Sequence, residues 1–192
     1  MDLTKVFREI ILLNELGGNE ALAYRFSDPD GVRTGKSGWS FGLCQFDLSN
    51  NGLAAVCLKE CGFRSVEIAA LKAQTIRDMG PMDAWLGKHR EIVARWDDAQ
   101  LQSCITRARE MALAGGWSYA DDRALLCAAD YHNQLFISKG RDFFTWAKSL
   151  ARPVTDYDIH KFRRNQPWGQ KRPDDVDRRY HNIITVAVKY GL

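Results

Sequence analysis

The residues best equipped for chemistry are carboxyls gathered in the first quarter of the chain. Glu15 ends an otherwise apolar run, Leu3, Val6, Phe7, Ile10, Ile11 and Leu13, and stands just before Gly17 and Gly18. Asp28, Asp30 and Asp47 follow, two in a polar stretch and one after a bulky segment. A carboxyl at the apolar end of a helix loses hydration, which favours its neutral form and keeps a proton available near neutrality. A neutral carboxyl working with an ionised one is the pairing that breaks glycosidic bonds: one protonates the bridging oxygen, the other steadies charge at the anomeric carbon or positions water. Each residue alone also has a plainer reading, since a helix-end Glu is commonly a surface group and an Asp in a turn is commonly there for the turn.

Other chemistries find less support. His89, His132, His160 and His181 are scattered, without a Ser or Cys partner at a recognisable motif. Gly35-Lys36-Ser37 lacks the preceding glycine of a phosphate loop, and no dinucleotide fingerprint occurs. Cys57 and Cys61 stand four apart, but no second pair or histidines at zinc spacing follow, so no metal or organic cofactor is expected. Five cysteines are an odd number in mostly apolar contexts, which reads as reduced thiols made in a cytoplasm.

These groups must be positioned by a largely helical chain. Asp2 can cap a first helix whose apolar residues recur at steps of three and four. Ser27 to Gly38 is dense in turn formers and suits a hairpin or irregular loop, and Trp39 to Asp47 suggests a short strand or turn entering the interior. Helical patterns then cover Asn51 to Cys61, Ser65 to Asp78, Pro81 to Trp96, Asp98 to Ala114, Asp121 to Ile137, Asp142 to Ala151 and Asp174 to Tyr190. Arg163 to Asp174, with Pro167, Gly169 and Pro173, is expected to be the floppy stretch. The 192 residues, 45% hydrophobic, suit one domain over 1–192, mainly α with a small β-hairpin or loop insertion near the N-terminus.

Charge and leader content limit partners and location. From His160 onward eight Lys or Arg stand against three Asp, a basic tail that suits either a polyanion, cell walls included, or a solvated surface. No nucleic-acid module is visible, no apolar run reaches membrane-span length, and Met1 to Lys5 lacks the pattern of a secretory signal.

Phe41-Gly42-Leu43-Cys44-Gln45-Phe46-Asp47 resembles the Phe-Gly-Leu-Met-Gln-x-Asp segment of goose-type lysozymes and, more loosely, the Gly-Leu-Met-Gln motif of lytic transglycosylases. In those families a catalytic Glu at a helix end comes before the motif, with an Asp of the intervening polar segment between them, and Glu15, Asp28 and Asp47 keep that order. Ala128 to Gln134 is similar to the Ala-x-x-Tyr-Asn segment that lines the facing wall of the cleft, with His132 inserted between Tyr131 and Asn133. A second register is open: Asp28 and Thr34 stand at the Asp-x5-Thr spacing of phage-type lysozymes, which makes Glu20 an alternative acid.

The resemblance implies a lysozyme-like two-lobed fold with a glycan cleft, and a muramidase hydrolysing the β-1,4 bond between N-acetylmuramic acid and N-acetylglucosamine. Glu15 would be the acid, with Asp28 or Asp47 as the second carboxylate. A lytic transglycosylase, a chitosanase and a non-catalytic wall-binding or phage structural protein are the alternatives. Trp39 and Tyr24, near the motif, offer aromatic platforms for sugar faces, and Ser40, Gln45, Tyr131, Asn133 and Gln134 are candidate substrate contacts. The expected partner is the peptidoglycan glycan strand, met by a monomer that does not insert in membranes. Such a protein would be made in the cytoplasm without a signal peptide. It would act in the periplasm or cell wall after release through a phage-made membrane hole, as an endolysin does, or after delivery by a secretion system.

Overall fold

The computed structural model describes residues 1–28 and 37–192; Asp30 and Thr34 lie outside them. In chain order the elements are α1 (Leu3–Leu16), a 3-10 turn (Glu20–Tyr24), β1 (Ser40–Phe41), β2 (Phe46–Asp47), α2 (Gly52–Glu60), α3 (Ser65–Lys72), α4 (Gly80–Lys88), α5 (Arg90–Gly115), α6 (Asp122–Leu135), α7 (Asp142–Ser149), α8 (Asp156–Asn165), α9 (Pro167–Lys171) and α10 (Pro173–Lys189). The chain is therefore mainly helical, with one small antiparallel sheet among the described residues, as the sequence leads one to expect. No described helix is long and apolar enough to cross a membrane. Two compact units form, one from Met1–Asn14 with Leu101–Leu192, the other from Glu15–Gln100.

The first unit is built on apolar helix faces. Asp2 caps α1 by accepting the Thr4 amide at 2.9 Å, and Val6, Phe7, Ile10 and Ile11 are fully buried. Removing such a side chain from water is worth about 1.5–3 kcal/mol. Asp121 caps α6 through the Ala124 amide at 2.9 Å, and Thr155 with Asp158 makes a capping box for α8. Tyr131, Phe143, Trp146 and Phe162 form an aromatic cluster, with centroids 4.8 Å apart for Tyr131–Phe143 and 4.4 Å for the stacked Trp146–Phe162 pair.

The expected floppy stretch is helical. Pro167 and Pro173 occupy first-turn positions of α9 and α10, where a missing N–H costs nothing, so they start helices rather than break them. Gly169 is buried, and only glycine fits there, because a Cβ would lie 1.9 Å from the Arg163 carbonyl oxygen. The basic tail is also less of a patch than its composition suggests. Arg163 and Arg179 are buried, Arg164 pairs with Asp177, Arg178 with Asp175 and Lys189 with Glu9.

In the second unit β1 pairs with β2 in the register Ser40 with Asp47 and Phe41 with Phe46, and Ser27 bridges to Ser40. The helices expected over Pro81–Trp96 and Asp98–Ala114 divide elsewhere. The break comes at His89, and α5 runs without interruption past Asp97 and Asp98. Asp98 does not start a helix, and its neighbour Asp97 is a buried acceptor for the hairpin. Helix α3 is shorter than expected, ending before Gln74, whose φ of 50° leaves the helical region.

Candidate functional site

Glu15 sits in the last turn of α1, half-buried, where Gly17 and Gly18 take φ values of 59° and 85° and turn the chain out of the helix. Asn19 then caps the 3-10 turn through the Ala21 amide, and Glu20 is exposed at its start. Asp28 is half-buried and accepts the Gln74 side-chain amide at 3.3 Å. Glu15, Asp28, Trp39, Ser40, Gln45 and Asp47 all belong to the second unit, whereas Tyr131, Asn133 and Gln134 belong to the first.

The Phe41–Asp47 segment is a tight hairpin. Gly42 and Gln45 bound its turn with φ of 78° and 52°. A Cβ on Gly42 would lie 2.9 Å from both Asp97 Oδ1 and a ring carbon of Phe46, so only glycine fits there. Asp97, 1% exposed, takes the Leu43 amide at 2.9 Å and the Cys44 amide at 3.0 Å. This carboxylate is the anchor of the motif. Sequence reasoning passed over it because it lies far along the chain and reads as an ordinary polar residue between two helical runs.

Within the hairpin several candidates are occupied by structure. Asp47 accepts the Gly38 amide at 3.0 Å, the Ser49 amide at 2.7 Å and the Asn50 side-chain amide at 2.7 Å. Burial alone would raise its pKa, but these donors outweigh burial and hold its carboxyl below the usual range. Gln45 accepts from the Ser27 hydroxyl at 2.9 Å and donates to the Gly42 carbonyl at 2.9 Å. Ser40 is buried in β1. Trp39 is half-buried, and its indole N–H is enclosed with no hydrogen-bond partner among the described residues. Tyr24 is 8% exposed, and the Arg90 guanidinium lies over its ring at 4.9 Å.

The segment Ala128–Gln134 lies in α6 and turns largely inward. Tyr131 is 6% exposed, held between Phe143 and Phe162, and burial raises its phenol pKa. Asn133 accepts a weak contact from the Cys104 thiol at 3.9 Å, and Gln134 accepts from Arg163. The strongest polar feature is the neighbour Asp130, which is fully buried. Its carboxylate takes Arg163 Nη1 at 2.6 Å, Arg179 Nη2 at 2.6 Å, Arg179 Nε at 3.2 Å and the Asn14 amide at 3.1 Å. Burial pushes the Asp130 carboxyl up, but the two guanidinium charges outweigh it and hold the group well below the ordinary carboxylate range. Asn182 and Arg178 continue the network onto Asn14. A buried Asp and two buried Arg at i, i+33 and i+49 leave no local pattern to read.

All five cysteines are buried thiols outside any disulfide. No group of three His, Cys, Asp or Glu among the described residues is arranged to hold a metal ion. No family model, curated protein or solved structure matches this chain.

Proposed function

We propose that this protein is a muramidase with a lysozyme-like fold, hydrolysing the β-1,4 bond between N-acetylmuramic acid and N-acetylglucosamine in peptidoglycan. The observation that carries the reading is the pairing, in one unit, of a half-buried Glu at a helix end broken by two glycines with a Gly-Leu-Cys-Gln hairpin clamped by Asp97. Glu15 donates the proton to the glycosidic oxygen. Asp47 already serves three donors of its own turn, so this reading gives the second-carboxylate role to Asp28. Trp39, half-buried beside the hairpin, supplies a sugar platform. Ser40 and Gln45 act by shaping the hairpin, and Tyr131, Asn133 and Gln134 by shaping α6.

The test is loss of turbidity of purified sacculi with the parent, Glu15→Gln, Glu20→Gln and Asp28→Asn. Activity lost in Glu15→Gln at unchanged melting temperature supports the assignment. Loss confined to Glu20→Gln moves the acid to Glu20, and no clearing by the parent overturns the enzymatic reading. Mass spectrometry of the released ends identifies the reaction: reducing sugars for hydrolysis, anhydro ends for transglycosylation.

A further inference from the structure

Helix α6 ends in a strained turn that carries Ile137 into the core and leaves Phe136 outside it. Phe136 takes φ 53° and ψ 111°, a conformation that disfavours any residue with a Cβ, and the residue is 62% exposed. The turn is held on both sides. The Phe136 amide donates to the His132 carbonyl at 3.1 Å, and the amide of the buried Ile137 donates to His132 Nδ1 at 2.8 Å. Burial first, and the Arg107 charge next, lower the His132 pKa to about 4, so its ring is neutral and free to accept. The Phe136 ring meets His132 edge-on at 5.5 Å, which fixes its direction. A strained backbone, a neutral histidine and a T-shaped contact thus combine to present one aromatic ring outward.

That ring lines a cavity of about 540 Å³ within the first unit. Tyr131, Phe143 and Trp168 supply further aromatic wall, and Arg141 and Gln166 supply polar groups. The volume falls within the roughly 300–1,000 Å³ of pockets that take small ligands. Arg141 is exposed and does not cap α7 with its side chain, while Asp142 sits in the first turn of α7, where the helix already favours its charge. Aromatic faces accept the C–H face of a pyranose, an amide serves hydroxyl and acetamido groups, and a guanidinium takes a carboxylate in two parallel bonds.

We infer that this cavity is a saccharide-binding site for a carboxylate-bearing N-acetylated pyranose, with Phe136 and Trp168 as stacking faces and Arg141 as the carboxylate partner. The choice of a glycan over other ring ligands rests on the function proposed above; the site itself rests on Phe136 and its cavity.

The test is calorimetric titration of the full chain, in a Glu15→Gln background to prevent turnover, with two probes. One is a tetrasaccharide of alternating N-acetylglucosamine and N-acetylmuramic acid; the other is tetra-N-acetylchitotetraose, which lacks carboxylates. The first is expected to bind more tightly, and Arg141→Gln to erase that preference. Phe136→Gly relieves the backbone while removing the ring, so it should be at least as stable as its parent and bind about tenfold more weakly. Unchanged affinity in Phe136→Gly, or no binding of either probe, overturns the inference. Clearing of sacculi by the native chain is read separately. Clearing with unchanged Phe136→Gly binding sinks the cavity proposal and spares the hydrolase. Phe136-dependent binding without clearing sinks the hydrolase and spares the cavity.

Discussion

Asp97 and Asp130 are both buried helical carboxylates, and they do opposite jobs. Asp97, in the second unit, spends its oxygens on two neighbouring backbone amides, Leu43 and Cys44, so its charge sets the shape of one turn. Asp130, in the first unit, spends its oxygens on two guanidinium groups and an amide from α1, α8 and α10, so its charge locks four helices, its own included, into one arrangement. A carboxylate facing fixed backbone donors organises locally and leaves the rest of the unit little affected. A carboxylate facing two buried cations organises globally, because neither cation has water to fall back on.

The comparison sets the order of expected effects. Asp130→Ala strands two buried guanidinium groups and should cost about 3–5 kcal/mol in denaturant unfolding. Asp97→Ala strands two backbone amides and should cost less, about 2–4 kcal/mol. Hydrogen exchange separates the two: the Leu43 and Cys44 amides should lose protection selectively in Asp97→Ala. Equal losses across both units would break the contrast. Gly42→Ala tests the Asp97 clamp from the other side, forcing a Cβ against the carboxylate at φ 78°, and should cost about 1–3 kcal/mol.

The smallest effect is a pH dependence in the first unit. The folded Asp130 carboxyl titrates below its unfolded value, so its contribution is complete above about pH 4 and drains away as pH falls further. His132 is also depressed, from near 6.5 to about 4, so its contribution is complete above about pH 6.5 and is lost as pH falls toward 4. Chemical denaturation at pH 7 and pH 5 should therefore show a larger drop for the parent than for His132→Gln. Equal drops would remove His132 from this account.

Much of the scaffold is legible in the sequence because local physics writes it there. The apolar period of α1, the Asp2 and Asp121 caps and the turn-rich approach to the hairpin all act over a few residues. Two errors share a cause. Asp98 looks like a helix start, and Pro167, Gly169 and Pro173 look like breakers, because these residue types usually punctuate. Here α5 is carried past Asp98 by its buried faces, and Gly169 is demanded by a close backbone approach. The Asp97 and Asp130 networks were invisible for a different reason: their partners lie dozens of residues away and carry no spacing rule. Residue type and order along the chain reveal neither that Asp47 is bound by its own turn nor that Gln134 is taken by Arg163.

Glu15 is proposed as the proton donor of a peptidoglycan hydrolase. Its most direct test is the rate at which purified sacculi release reducing ends with the parent and with Glu15→Gln, at matched folded concentration. The account predicts measurable release by the parent and a fall of about a hundredfold or more in the variant. Equal rates in the two proteins would contradict it.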